Sequence, residues 1–222
     1  MIKNICTTVL VLVLIHTTHA QKGFKPIFDG KTTTGWHNYG KTTVGAAWKV
    51  EDGVLHFDPA AAKNGQGGDL DTENEYTNFH LKLEWKVASK ANSGIIFYIK
   101  EDPKKYPATY STGLEMQVLD NEGHSDGKIE KHRAGDLYDL IKCSKESVKP
   151  VGEWNTAEVV CKNGKLTLVL NGVFVVETIL WDDNFKALLA GSKFATWANF
   201  GTFKTGKIAL QDHGDNVWYR NI

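Results

Sequence analysis

Asn163-Gly164 and Asn171-Gly172 lie eight residues apart, and each divides two runs of apolar and β-branched residues. A two-residue hairpin turn needs positive φ at both central positions, which Asn and Gly adopt at little cost, so the two dipeptides dictate three consecutive antiparallel strands. Asp52-Gly53 repeats the device between Trp48-Lys49-Val50-Glu51 and Val54-Leu55-His56-Phe57. Phe79 to Val87 alternates: Phe79, Leu81, Leu83, Trp85 and Val87 face a core, and Lys82, Glu84 and Lys86 face away from it. Ile95 to Ile99 is continuously apolar, which suits a strand buried on both faces. Leu137 to Ile141 reads as a short strand, and residues 206–222 as two strands joined at a Gly-Asp turn. Helix is confined to residues 184–201, where Phe185, Leu188 and Leu189 have the spacing of a short amphipathic turn or two. Many strands, Gly and Asn turns and almost no helix predict an all-β fold, an antiparallel sandwich.

With 222 residues, 41% hydrophobic and 23% charged, the chain suits one globular domain. Residues 1–20 stand apart: Lys3, then Val9 to Ile15 without a charge, then the small-residue end Thr18-His19-Ala20. This is the pattern of a cleaved signal peptide, too short in its apolar part for a membrane span. The expectation is a periplasmic or secreted domain over residues 21–222, with no membrane insertion. Its near-zero net charge implies no polyanion partner, and no nucleic-acid partner is expected. Cys143 and Cys161 are left in a compartment that permits a disulfide, although Cys161 also shares the core parity of Ala157 and Val159.

The chemistry concentrates on Gly113-Leu114-Glu115-Met116-Gln117-Val118-Leu119-Asp120. Leu114, Met116 and Val118 share one face; Glu115 and Gln117 share the other, with Asp120 at the strand's mouth. Near the C-terminus, Gln211 and His213 form a second polar pair on the parity opposite to Ile208 and Leu210. Brought together, the two pairs give a carboxylate, two amides and an imidazole, a set fit for acid/base work or for a divalent metal. Taken singly, each is also what a solvated strand face or a turn histidine looks like. Of the seven tryptophans, Trp85 and Trp154 fit a core, whereas Trp36, Trp197 and Trp218 are freer to line a cleft.

Several pieces then occur in a recognisable order: Ile27-Phe28-Asp29-Gly30-Lys31 with Gly35-Trp36, Glu84-Trp85-Lys86, Asn92-Ser93-Gly94-Ile95, the strand from Gly113 to Asp120, Gly152-Glu153-Trp154-Asn155, Leu170-Asn171-Gly172, Leu210-Gln211-Asp212-His213-Gly214 and Arg220-Asn221-Ile222. In this order they resemble the 3-keto-disaccharide hydrolase family, Bacteroides-type exported members included. The resemblance implies a concanavalin-A-like jelly roll of two curved antiparallel sheets, and action on sugars oxidised to a ketone at carbon 3. Such a ketone acidifies the hydrogen at carbon 2, so a base can begin an elimination that expels the glycosidic oxygen.

On this resemblance Glu115 is the expected base, His213 the proton shuttle and Asp120 a third catalytic member. Gln117, Gln211, Asn92, Tyr138, Glu84 and His132 are expected around the sugar, with Glu115 and His213 as candidate ligands of a divalent metal ion and no organic cofactor. The substrate is a 3-keto-glycoside, which calls for a sugar 3-dehydrogenase upstream. The family pattern has an arginine where this chain has Tyr98, leaving Lys82, Lys86 or Arg133 to supply the charge, or Tyr98 as plain core. A sandwich of this kind also serves non-catalytic carbohydrate-binding modules, which stand as the alternative.

Overall fold

The turn dipeptides form the hairpins they dictate. In the computed structural model, which describes residues 23–222, Asp52-Gly53, Asn163-Gly164 and Asn171-Gly172 all take positive φ, between 50° and 84°. They join β2 (Trp48–Glu51) to β3 (Val54–Phe57), β8 (Asn155–Lys162) to β9 (Lys165–Leu170), and β9 to β10 (Val173–Ile179). The expected signal peptide and Cys6 lie outside the described residues. The remaining strands are β1 (Trp36–Asn38), β4 (Leu70–Thr72), β5 (Phe79–Val87), β6 (Asn92–Ile99), β7 (Leu114–Leu119), β11 (Lys207–Leu210) and β12 (Val217–Arg220).

All strand pairs are antiparallel, in a seven-stranded sheet β10-β9-β8-β5-β12-β3-β2 and a five-stranded sheet β1-β4-β11-β6-β7. The core lies between them. Leu83, Trp85, Tyr219 and Phe57 from the larger sheet, and Ile95, Phe97, Met116 and Val118 from the smaller, belong to one buried cluster, each such side chain contributing about 1.5–3 kcal/mol on burial. The strand β6 is buried throughout, as its composition demands. It carries a bulge: Lys207 pairs with Ile99 and Ile208 with Phe97, so Tyr98 drops out of register with φ 60°. The bulge turns Phe97 and Tyr98 both toward the core, and the Tyr98 hydroxyl donates to the Thr77 carbonyl at 2.7 Å. Tyr98 is core.

The helix α1 (Asp183–Ala190) begins one residue ahead of the expected window and otherwise lies in its first half, started by Asp182, whose carboxylate accepts the Phe185 N–H at 2.7 Å. Leu137 to Ile141 is a correction: Leu137 makes only isolated bridges to Met116 and Ile141, because Asp139 at φ 60° closes a tight turn there. Cys143 and Cys161 are both free thiols, and Cys161 packs in the core. The two terminal strands form, in different sheets. Residues 211–216 therefore cross from one sheet to the other, and the Asp215 carboxylate accepts the Asn92 N–H at 3.0 Å, fixing the crossing against the start of β6.

Candidate active site

Registers fix which side chains share the outer face of the five-stranded sheet. One row runs His37, Asp71, Ala209, Ile96, Glu115 across β1, β4, β11, β6 and β7. The adjacent row holds Gly94 opposite Gln117, with the Gln211 N–H donating to the Gly94 carbonyl at 2.9 Å. Ile96, Ile99 and Ala209 form a small sealed patch with Tyr39 against it. The 101–112 segment caps this patch: Tyr39 donates to the Tyr106 carbonyl at 2.6 Å, and a Cβ on Gly113 would strike Ile96 and Ile99. Two polar groups remain, one around Glu115 and one around Asp71.

Glu115 is 8% exposed and its carboxylate lies flat over Gly94, where any Cβ would overlap it. Burial pushes its pKa up to about 8; Asp69 and Asp126 push the same way and Lys193 opposes them. Gln117 presents its amide nitrogen to Glu115 Oε1 at 3.0 Å and to the Ser93 carbonyl at 3.2 Å, since the reverse orientation would set three oxygens together. Its oxygen then lies 3.2 Å from Asn92 Oδ1, so the Asn92 amide must turn with it to donate there, which places the Asn92 oxygen 3.4 Å from His213 Nε2. Glu115, Gln117, Asn92 and His213 are thus joined in one string of polar contacts across β7, β6 and the 211–216 crossing. Parity found the Glu115 end; the His213 end, expected on a strand, lies past the end of β11.

A wall faces this floor from the connection after β7. The Tyr138 N–H donates to the Glu115 carbonyl at 3.0 Å, and its hydroxyl stands 3.2 Å from Asp126 Oδ2. Burial and the Asp126 carboxylate raise the phenol's pKa, so it stays a donor. His132 lies between Asp139 (3.0 Å) and Asp126 (3.4 Å) and under the Tyr138 ring at 4.2 Å. It holds the wall rather than lining the cleft. Lys193 completes it, its ammonium 4.0 Å from the Tyr138 ring centre and its N–H on Asp139 at 2.7 Å. Asp69 closes the floor opposite, accepting from Thr109 and, at 2.8 Å, from the Asp212 N–H; burial lifts it to about 6.

Gln211 points onto this floor and, among the described residues, its amide takes no side-chain partner, which leaves it for a ligand. Gln117 and Asn92 also belong to the floor, with their amides already engaged in the string. Asp120 does something else than expected. Its two oxygens accept the N–H groups of Lys90 (2.7 Å), Gly123 (3.0 Å) and Glu122 (3.2 Å), so it builds the turn after β7. Glu84 is in the other sheet, paired with Arg220 at 2.7 Å and Asn221 at 3.0 Å on its outer face. Lys82 pairs with Glu158, Lys86 lies on Trp154 and Trp218, and Arg133 pairs with Glu146; the cation near Glu115 is Lys193. Trp36 is buried with its indole N–H on the Ile27 carbonyl, and Trp218 stacks on His56 at 4.7 Å on the seven-stranded sheet's outer face. Trp85 is core, Trp154 lies half-buried under Arg220, and Trp197 is 40% exposed.

Among the described residues, two side-chain groups bring ligand atoms within 4.8 Å of one another, His124 with His213 and Asp215, and His37 with Asp71 and Glu101. The second already contains an ammonium: Lys207 Nζ is 2.6 Å from Glu101 and 3.1 Å from His37. The first, two imidazoles and a carboxylate, is a donor set suited to a divalent transition ion. Ligation through its Nε2 would require His124 to release the Asp126 N–H that its Nδ1 now accepts at 3.1 Å. Glu115 belongs to neither group.

Comparison with known proteins agrees with this architecture. The description 3-keto-alpha-glucoside-1,2-lyase-like domain matches residues 23–222. A 3-keto-disaccharide hydrolase of Bacteroides thetaiotaomicron is 38% identical, over 90% of this chain and 77% of its own length. A solved Parabacteroides distasonis protein assigned to the glycosyl hydrolases superposes with a TM-score of 0.80 at 32% identity, covering 88% of this chain and 90% of that one. A Bacillus subtilis protein with a galectin-like fold, 11% identical over 83% of this chain and 85% of its own, superposes at 0.51 and shows the sandwich fold alone.

Proposed function

The chain belongs to the 3-keto-alpha-glucoside-1,2-lyase-like family, and on that premise we propose that it is a carbohydrate-active enzyme that cleaves 3-keto-glycosides by removing the proton at carbon 2. The observation that carries this reading is the buried carboxylate of Glu115, lying flat over Gly94, raised to about 8 by burial and with the Lys193 ammonium as the one charge that opposes that rise. A base in that range is matched to a carbon acid made acidic by a neighbouring ketone far better than an ordinary carboxylate.

In this reaction the ionised Glu115 takes the C2 proton, and the electron pair moves into an enolate whose negative oxygen Lys193 and the Tyr138 hydroxyl stabilise. The enolate then returns its electrons, the C1–O bond breaks, and the pair leaves with the glycosidic oxygen, which takes a proton from His213. Water adds across the resulting C1–C2 double bond to complete a net hydrolysis; the lyase stops before that step. Gln211 and the edge of the Asn92 amide hold hydroxyls of the keto sugar. Where His213, His124 and Asp215 instead hold a divalent ion, His213 would be a ligand and not the proton donor, and the ion would supply Lewis acidity at the leaving oxygen; Glu115 and Lys193 act independently of it.

The reading includes export under residues 1–20 and a dehydrogenase that supplies the ketone. Its test is incubation of the protein with 3-keto-trehalose and with unoxidised trehalose, following sugar release by mass spectrometry. Release from the keto sugar alone supports it. Binding without release from any 3-keto-glycoside would leave a carbohydrate-binding module instead.

A further inference from the structure

Six large apolar side chains are prominently exposed among the described residues, and the two most polarisable of them, Tyr110 and Trp197, stand together with ring centres 6.2 Å apart. They come from segments 87 residues apart in the chain, and each segment also sends a residue into the active site, one position before Tyr110 and four before Trp197. Thr109 donates to Asp69 on the floor, and Lys193 lies over Tyr138 on the wall. Phe194 continues the contact, 6.4 Å from Tyr138 on one side and 5.1 Å from Trp197 on the other. Phe200 stacks beneath Phe194 at 3.7 Å, which stiffens the ledge from below.

Three of the other indoles, Trp36, Trp48 and Trp181, each donate to a backbone carbonyl, while those of Trp85, Trp154 and Trp218 lie buried or half-buried without such a bond. Among the described residues Trp197 has no such partner. An exposed ring with a free N–H, supported from beneath and continuous with a polar cleft, presents an apolar face and a hydrogen-bond donor together. Those are the two features with which a pyranose ring is gripped, through its C–H face and its hydroxyls.

We propose that Tyr110 and Trp197 form the aglycone subsite, which takes a second ring of the substrate, a sugar or an aromatic group, while the keto sugar lies over Glu115. The inference deepens the proposed function and rests on it for the keto sugar's position. It makes the protein selective for glycosides whose leaving group is itself a ring over those whose leaving group is a small alcohol.

The test compares equilibrium binding of 3-keto-trehalose and of methyl 3-keto-α-glucoside by titration calorimetry, in chains that all carry Glu115→Gln so that neither ligand is consumed, with the wild-type ledge, Trp197→Ala, Tyr110→Ala and Trp197→Phe. Because the readout is binding, it answers for the ledge even if the protein cleaves neither compound, whereas absent turnover in the wild-type chain by itself counts against the proposed function. The wild-type ledge should prefer the disaccharide, and Trp197→Ala should narrow the ratio of the two dissociation constants by about tenfold. Trp197→Phe, which keeps a ring, should restore most of that ratio, and thermal unfolding of each variant reports on the fold. Equal affinities for the two ligands with the wild-type ledge, or an equal weakening of both in Trp197→Ala and Tyr110→Ala, overturns the subsite.

Discussion

The Gln117 amide nitrogen is 3.0 Å from Glu115 Oε1, two residues away on the same face of β7, so the carboxylate's only side-chain partner on its own strand is a neutral donor. A neutral donor steadies the ionised form without neutralising it. The base is thus kept between two extremes: a buried acid too weak to ionise and an ion-paired carboxylate too weak to accept a proton.

Replacing the carboxylate while preserving its shape isolates its chemistry. Glu115→Gln is expected to lower kcat for 3-keto-glycoside cleavage by about 10²–10⁴-fold. Binding of the keto sugar should change far less, as titration calorimetry would report.

Removing the donor weakens the ionised base. Gln117→Leu should move the ascending limb of the kcat/KM profile to higher pH, by on the order of one pH unit. In the wild type that limb should have its midpoint near 8, the value to which burial raises Glu115. Lys193→Met should shift it upward too, since Lys193 is the one charge that lowers the Glu115 pKa. Stopped-flow or discontinuous rates between pH 5 and 10 decide both.

Gly94 is constrained by the carboxylate that lies on it. Gly94→Ala puts a methyl group where Glu115 Oε1 sits, so the variant should lose about 1–3 kcal/mol of stability or displace the base. Denaturant unfolding read beside turnover separates the two.

Asp71 has the opposite problem. It is fully buried with neither oxygen hydrogen-bonded, and desolvation lifts its pKa to about 9. Its folded pKa is above the unfolded value of 3.8, so the stability associated with the neutral form is complete below about pH 4. That stability is lost as pH rises toward 9. Asp71→Asn should therefore raise the unfolding temperature at pH 8 by several degrees relative to wild type, with little gain at pH 4. Calorimetric scans at the two pH values measure it.

What the sequence revealed depended on which interactions are local. Asn163-Gly164 and Asn171-Gly172 announce their hairpins because the turn's φ requirement is met by two adjacent residues. Glu115 and Gln117 declared a shared face through the two-residue period of a strand, whereas Gln211 and His213 lie past the end of β11, Gln211 buried and His213 exposed in the crossing between the sheets. Parity names a face and is silent about the sheet, which is why Glu84 reads as a cleft residue from the same pattern although β5 belongs to the other sheet. Asp69, Asp126 and Lys193 flank Glu115 from loops without periodicity, and only the strand order brings them there. Asp120 drew notice because a carboxylate at a strand's mouth is equally a turn acceptor, and in the structure its oxygens take three backbone donors. Trp36 sits in a strand of three residues, too short for alternation to show its burial.

The most direct test of the account is cleavage of a 3-keto-glycoside carrying deuterium at carbon 2, with isotope content followed in the product and an enzyme-free control for spontaneous exchange. Proton abstraction by Glu115 predicts that the deuterium is lost to solvent in step with cleavage, that the rate shows a primary isotope effect, and that Glu115→Gln abolishes both. A released sugar that keeps its deuterium, formed at the rate seen with hydrogen at carbon 2, would contradict it.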